Sequence, residues 1–330
     1  MTAASGPTAA EAPERPDQRD ARSLRVDYVV VAYRSERHLA SCLDAIAADR
    51  PEDALVIVVD NASPDRSADV ARQHPSRARV ISSPQNLGFG GACNLALDTS
   101  DADLLFFVNP DARLSPGTTA CLAAAIRDDP LVAAVGPRIA DPAGSLRAAS
   151  AGFEPSLRSV LGHFLLLARL PGIGRSFPPL QLPFGSPGQP VDWVGGAALM
   201  VRRAAFSEVG GFDPSIFLYM EDVDLCRRLR ATGWRVRYEP GVSVEHDVGG
   251  SQGTDQAERW FVAFHQYVVR RRGSRYARAT SALAAVGLGV RAVVLGFRRP
   301  AHARRLARAA RTAAILAVRA PDWHGRLADA

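Results

Sequence analysis

Val26-Asp-Tyr-Val-Val-Val-Ala-Tyr33, Ala54-Leu-Val-Ile-Val-Val-Asp60 and Asp103-Leu-Leu-Phe-Phe-Val108 decide the fold. Each is a nearly unbroken apolar run rich in β-branched or aromatic residues, and such runs are strands buried on both faces. Residues 79–82 and 132–139 supply two further strands. Helical stretches at about 36–49, 66–74, 90–97 and 116–128 separate the five. The alternation predicts an α/β fold, a Rossmann-like and mostly parallel central sheet flanked by helices. In such a sheet, ligands bind beyond the C-terminal ends of the strands.

The rest of the chain is organised around this core. With 330 residues, 47% hydrophobic and 22% charged, it is globular, which excludes a disordered, collagen-like or disulfide-scaffold protein. Cys42, Cys93, Cys121 and Cys226 form no CxxC pair, so a zinc ribbon is excluded and a reducing cytosol is expected. Residues 1–25 have no apolar core and read as a flexible leader rather than a secretory signal. A body follows at 26–254, in which the Pro- and Gly-rich segment 141–190, with one apolar helix at 156–170, reads as an insertion or acceptor loop.

All 40 basic residues are Arg, and they are unevenly spread. Residues 255–330 hold 15 Arg against 4 acids, a net of +11, which leaves −5 on the rest. This basic tail reads as three helices, at about 256–272, 277–297 and 302–319. Residues 281–297 are apolar apart from Arg291, too short and too charged for a comfortable membrane span. A helix lying in the membrane interface is expected, with Arg298, Arg299, Arg304, Arg305, Arg308 and Arg311 meeting the phosphates of an anionic membrane surface. Helices that simply close the core remain the alternative.

The chemistry-bearing residues follow strands. Asn109-Pro-Asp111 places a carboxylate at the ligand edge, suited to Mg²⁺ or Mn²⁺ when a diphosphate supplies the other oxygens. Asp101 and Asp103 precede their strand and fall on the wrong edge. Asp60-Asn61-Ala62-Ser63 offers an acid to a base or ribose, with Ser63 as the cap of the next helix. Asn86-Leu-Gly88-Phe-Gly-Gly lacks the full dinucleotide fingerprint, yet its glycines let backbone approach a nucleotide. Glu221 and Asp222 open a helix beside Trp193, Phe217 and Tyr219. Desolvation there would raise a carboxyl pKa and suit one of them to general-base work. Asp224 reads as structural. His246 follows a strand at about 235–238 and can complete a metal site.

Taken in order, Val29-Val-Val-Ala-Tyr33, Val58-Val-Asp-Asn-Ala-Ser63, Asn86-Leu-Gly-Phe-Gly90, Phe107-Val-Asn-Pro-Asp111, Gly195-Gly196, Met220-Glu-Asp222 and His246 resemble an inverting family 2 glycosyltransferase of the GT-A fold. Within that family the chain looks most like the actinobacterial rhamnosyltransferases that act on N-acetylglucosaminyl-diphospho-polyprenol in cell-wall polysaccharide assembly. The resemblance implies a nucleotide-sugar donor, dTDP-rhamnose, and a polyprenyl-diphosphate-linked sugar acceptor, with the enzyme peripheral on the cytoplasmic face of the plasma membrane. It implies donor contacts from Asp60, Asn61, Asn86, Gly88, Asn109 and Asp111, and a divalent cation at Asp111 and His246. Asn109 stands where the family's metal motif has its first acid. Asp222 would be the base, with Glu221 as its substitute, and Trp193, Gly195 and Gly196 would border the acceptor. A sugar-1-phosphate nucleotidyltransferase would need a Gly-rich basic loop where this chain has Ala32-Tyr33-Arg34-Ser35. A non-catalytic glycolipid binder stays open. Nucleic acid is not expected as a partner, because the tail lacks interleaved stacking aromatics.

Overall fold

The computed structural model describes residues 24–141, 150–183, 185–247, 256–296 and 299–318. The expected leader lies outside these apart from Leu24 and Arg25. In chain order the elements are β1 (Val26–Ala32), α1 (Leu39–Asp49), β2 (Val56–Asp60), α2 (Ser67–Gln73), β3 (Arg79–Ser82), α3 (Gly88–Asn94), β4 (Leu104–Val108), β5 (Ala112–Leu114), α4 (Thr118–Arg127) and β6 (Val132–Ala140). Then come β7 (Ala151–Gly152), α5 (Leu157–Phe164), β8 (Gln189–Val191), β9 (Trp193–Val194), β10 (Ala198–Arg202), α6 (Arg203–Glu208), α7 (Glu221–Ala231) and β11 (Arg235–His246). Three long helices close the chain: α8 (Gln256–Arg272), α9 (Ser274–Gly296) and α10 (Pro300–Val318).

The main sheet has the order β3-β2-β1-β4-β10-β6-β11-β5, with β8 also on β11. Strands β3, β2, β1 and β4 are parallel, and β6 is parallel to β11. The sheet is mostly parallel as expected: β1, β2, β3, β4, β6 and β11 run one way, while β10 runs antiparallel between β4 and β6, and β5 and β8 run antiparallel to β11. The unbroken apolar runs do bury both faces. Val29, Val31, Ile57, Val59 and Phe107 pack on one side, which α3 and α6 cover; Val30, Val56, Val58, Phe106 and Val108 pack on the other, under α1 and α4. Each fully buried side chain of this size contributes about 1.5–3 kcal/mol.

Three expectations change. The apolar helix at 156–170 ends at Phe164, because Leu166 turns left-handed at φ 61. The strand expected at 235–238 continues to His246, a β-bulge between Glu239 and Ser243 absorbing the Pro240-Gly241 step. The third tail feature is length: α9 has 23 residues, so the objection that it is too short to span a membrane falls. It is nonetheless folded against α5, α8 and α10, and Phe261, Phe264, Tyr267, Ala284, Leu288 and Ala313 of these helices join the main core. Asp101 and Asp103 lie on the edge away from the ligands as expected, holding Arg25 by contacts of 3.4 and 2.9 Å.

Candidate active site

Parallel strands deliver their C-terminal ends to one rim, and antiparallel β10 contributes its N-terminal end there. That geometry gathers residues after β1, β2, β4 and β11 with the Gly195–Gly196 turn before β10, around an open cleft of about 490 Å³. Asp111, Asp222 and His246 all line it, as do Asn61, Asn86 and Gly88. A second cavity of about 220 Å³, lined by Trp193, Leu180 and Trp260, shares Asp222, Glu221 and His246 with the first. The three residues therefore stand in the wall between two spaces.

Asp111 and His246 meet because β5 pairs with β11, with Ala112 opposite His246. Nε2 of His246 lies 3.0 Å from Oδ1 of Asp111, both side chains being mostly buried. The Asn109 side-chain amide nitrogen is 3.2 Å from the same Nε2. One ring nitrogen cannot donate to the carboxylate and accept from the amide at once. With the amide donating to that nitrogen, its approach to the carboxylate oxygen leaves room for a cation between them. Two ligand atoms about 3 Å apart suit neighbouring positions around a cation at bond lengths near 2.1 Å. Among the described residues no cluster of three or more His, Cys, Asp or Glu could hold a metal alone, so donor-set chemistry fits a cation only if a diphosphate and water complete the shell.

Asp222 is fixed by two backbone donors: Gly196 N–H to Oδ2 at 2.9 Å and Val223 N–H to Oδ1 at 2.8 Å. Burial pushes its carboxyl up, while those donors pull the other way. Glu221 is more deeply buried, at 6% exposure, and one of its carboxylate oxygens meets no hydrogen-bond partner among the described residues. Burial first and the Asp222 charge second push Glu221 up as well. Asp224 is structural as expected, paired with Arg228 at 2.6 Å and Arg227 at 3.2 Å.

Asn61 and Asn86 are tied to each other (Nδ2 to Oδ1, 2.8 Å), and Asn86 Oδ1 also accepts from the Gly88 N–H at 3.0 Å. Gly88 has φ +72, and a Cβ there would lie 2.1 Å from the Phe217 carbonyl oxygen, so only glycine fits. Asp60 ends β2 beside the cleft rather than in its wall, accepting from Ser63 N–H at 3.2 Å. The expected Ser63 cap is corrected: Asp65 Oδ1 accepts from the Ser67 N–H at the start of α2, and Ser63 serves Asp65. Trp193 donates Nε1–H to the Phe153 carbonyl at 3.1 Å.

Backbone strain concentrates here. Of six non-glycine residues with positive φ among those described, Arg34, Tyr219 and Met220 line the two cavities and Ala62 follows Asn61. Strain of this kind, about 1–3 kcal/mol per residue, persists where surrounding structure enforces it. Two charged residues of the cleft were not among the expected site residues: Arg34, just after β1, and Arg259, in the first turn of α8. An Arg inside an Arg-rich tail carries no signal of its own; only packing shows that it faces the cleft.

Residues 27–209 match the model for Glycosyl transferase family 2, and residues 180–317 that for Glycosyl transferase family group 2. The chain belongs to glycosyltransferase family 2. It is 35% identical over 240 residues to the N-acetylglucosaminyl-diphospho-decaprenol L-rhamnosyltransferase of Mycobacterium tuberculosis, a match covering 69% of this chain and 78% of the relative. It is 27% identical over 254 residues to the rhamnosyltransferase WbbL of Escherichia coli, covering 74% and 92%. Among solved structures, the mannosyltransferase PcManGT from Pyrobaculum calidifontis, in complex with GDP-Man and Mn²⁺, superposes with a TM-score of 0.61 at 18% identity, over 90% of this chain and 88% of that one. The fold of this glycosyltransferase is therefore GT-A, with the three tail helices added to it.

Proposed function

We propose that this glycosyltransferase moves L-rhamnose, with inversion, from dTDP-rhamnose to a GlcNAc-diphospho-polyprenol-type acceptor in cell-wall polysaccharide assembly. The position of Asp222 carries the reading: it stands where the larger cleft and the smaller, Trp-lined cavity meet, so one carboxylate reaches both a donor and an acceptor. The mycobacterial and E. coli relatives, both rhamnosyltransferases by name, support the choice of sugar, and the former supports the acceptor. The working place that follows is the cytoplasmic face of the plasma membrane.

In this reading the nucleotide diphosphate lies in the larger cleft, along Asn61, Asn86, Gly88 and Asn109, with Asp60 beside the base or ribose. The acceptor sugar occupies the smaller cavity at Trp193, with the Gly195–Gly196 turn lining the larger cleft next to it. Asp222 takes the proton of the acceptor hydroxyl; that oxygen attacks the anomeric carbon from the face opposite the diphosphate, and the carbon–oxygen bond to the diphosphate breaks. Configuration inverts in a single displacement. Asp111 and His246 would hold a divalent cation, which when bound offsets charge on the departing diphosphate. Arg34 and Arg259 add fixed positive charge to the same cleft. Glu221, buried and favoured neutral, is less suited than Asp222 to take the proton.

The test is a panel of nucleotide sugars incubated with the protein, Mn²⁺ or Mg²⁺ and a lipid-diphosphate-GlcNAc acceptor. Transfer from dTDP-rhamnose alone is the expected result; transfer from another donor, or to none of the acceptors, overturns it.

A further inference from the structure

Helix α9 is apolar on both sides of itself. Its inner side is committed: a Cβ on Gly287 would lie 2.4 Å from the Phe164 carbonyl oxygen, so α9 packs backbone-close against α5. Its outer side is not. Val286, Val290, Val293 and Val294 recur at i, i+4, i+7 and i+8, one helical face, and expose between 57% and 71% of their surface. Only 28% of the most apolar window of this helix is buried, at a mean hydropathy of 1.7. A monomer in water has no use for such a stripe.

A second apolar element lies alongside. After α5 ends, Leu165, Leu166, Leu170 and Ile173 are all exposed. The α5–α9 contact sets this segment beside the second half of α9, where Arg291 donates to the His163 carbonyl oxygen. Burial first, and then the nearby Arg169 charge, push the Arg291 guanidinium down. Among the described residues no acid pairs with Arg169 or Arg291. From residue 259 to residue 318 the sequence has 13 Arg and neither Asp nor Glu. Two such faces from two copies would repel each other, whereas an anionic bilayer complements both, its phosphates the charge and its acyl chains the apolar stripe.

We propose that the outer face of α9 and residues 165–173 together form a membrane-insertion face that seats the enzyme on an anionic lipid surface. This makes the hydrophobic valine stripe, rather than the Arg residues alone, the anchoring element. It also brings the region called an insertion and the basic tail into one device. Pro155 and Leu180, which flank residues 165–173 in the chain, line the smaller cavity at Asp222. An acceptor sugar on a lipid tail thus has a short way from the bilayer to the base. In this last respect the inference rests on the lipid-linked acceptor proposed above.

The experiment uses neither donor nor acceptor, so its outcome is separate from that of the donor panel. The full chain and the variant Val290→Glu/Val293→Glu/Val294→Glu are floated with phosphatidylcholine vesicles made with and without phosphatidylglycerol. The three sites are on the surface, and an unchanged thermal unfolding midpoint verifies that the variant folds. A second variant, Leu166→Glu/Leu170→Glu, probes the other element. The native chain is expected to float with the phosphatidylglycerol vesicles and to be released by an alkaline carbonate wash. Either variant is expected to lose about tenfold or more in bound fraction, since each apolar side chain withdrawn from lipid is worth a factor of that order. Variants that float like the native chain overturn the proposal. So do a native chain that ignores both kinds of vesicle, one that survives the carbonate wash as a spanning helix would, or one whose valine stripe is occupied by a second copy in solution.

Discussion

The Asp111 carboxylate and the His246 imidazole lie 3.0 Å apart because a three-residue strand, β5, pairs antiparallel with the last residues of β11. Neither residue belongs to the same stretch of sequence, and neither could bind a cation tightly by itself. If the pair holds the cation, His246→Ala should raise the apparent Kd for Mn²⁺ and lower kcat, with partial recovery at high Mn²⁺. Titration of activity against metal concentration checks this, and an unchanged metal curve removes His246 from the site. Chelation by EDTA should stop transfer by the native enzyme and leave the fold intact by circular dichroism.

Asp222→Asn should keep one of the two backbone contacts, since its amide nitrogen cannot accept from an N–H, while abolishing proton acceptance. A general base is typically worth about 10²–10⁴ in rate, so kcat should fall by that factor with nucleotide-sugar affinity nearly unchanged. Calorimetry for binding and a discontinuous transfer assay for rate separate the two quantities.

The acidic pair also predicts opposite pH trends for rate and stability. Burial raises the Asp222 carboxyl, so its deprotonated fraction keeps growing above the ordinary carboxylate range, and kcat/KM should rise with pH there. Glu221 binds its proton more tightly in the folded than in the unfolded chain, again chiefly through burial. Its contribution to stability is complete below the ordinary glutamate range and is lost as pH climbs through the raised value. Glu221→Gln should flatten that decline, measured as Tm against pH.

Gly88→Ala tests the contact between the glycine loop and the Phe217 carbonyl. A Cβ at φ +72, 2.1 Å from that oxygen, forces the loop away, so stability should drop by more than about 1 kcal/mol and donor binding should weaken. Chemical denaturation and calorimetry read the two effects.

Arg259→Ala should weaken binding of the proposed dTDP-rhamnose donor several-fold without moving the acidic limb of the pH profile, because Arg259 lines the cleft but is not among the groups that shift Asp222. Equal affinity of the variant for that donor would place Arg259 outside the proposed diphosphate subsite.

The strands at 26–33, 54–60 and 103–108 were legible because burial on both faces leaves no polar alternation to confuse the reading, and their ends gave Asp60, Asn109 and Asp111 their edge. The direction of β10 was not legible: residues 198–202 are apolar whichever way they run, and only the partners β4 and β6 fix it. The end of β11 was hidden by Pro240-Gly241, which reads as a terminator until a bulge carries the pairing past it. Glu221 and Asp222 were legible as a pair of acids, but their depth was not: both line the cleft, and Glu221 is the more buried of the two. Ser63 looked like a cap by composition, and Asp65 took the position because its carboxylate reaches the Ser67 amide.

Helix α8 supplies Arg259 to one cavity wall and Trp260 to the other. The C-terminal region is thus no detachable module: cutting the chain before Gln256 would strip a wall from each of the two cavities. Exchanging this helix between related enzymes should for the same reason alter which substrates are accepted, and not merely where in the cell the protein resides.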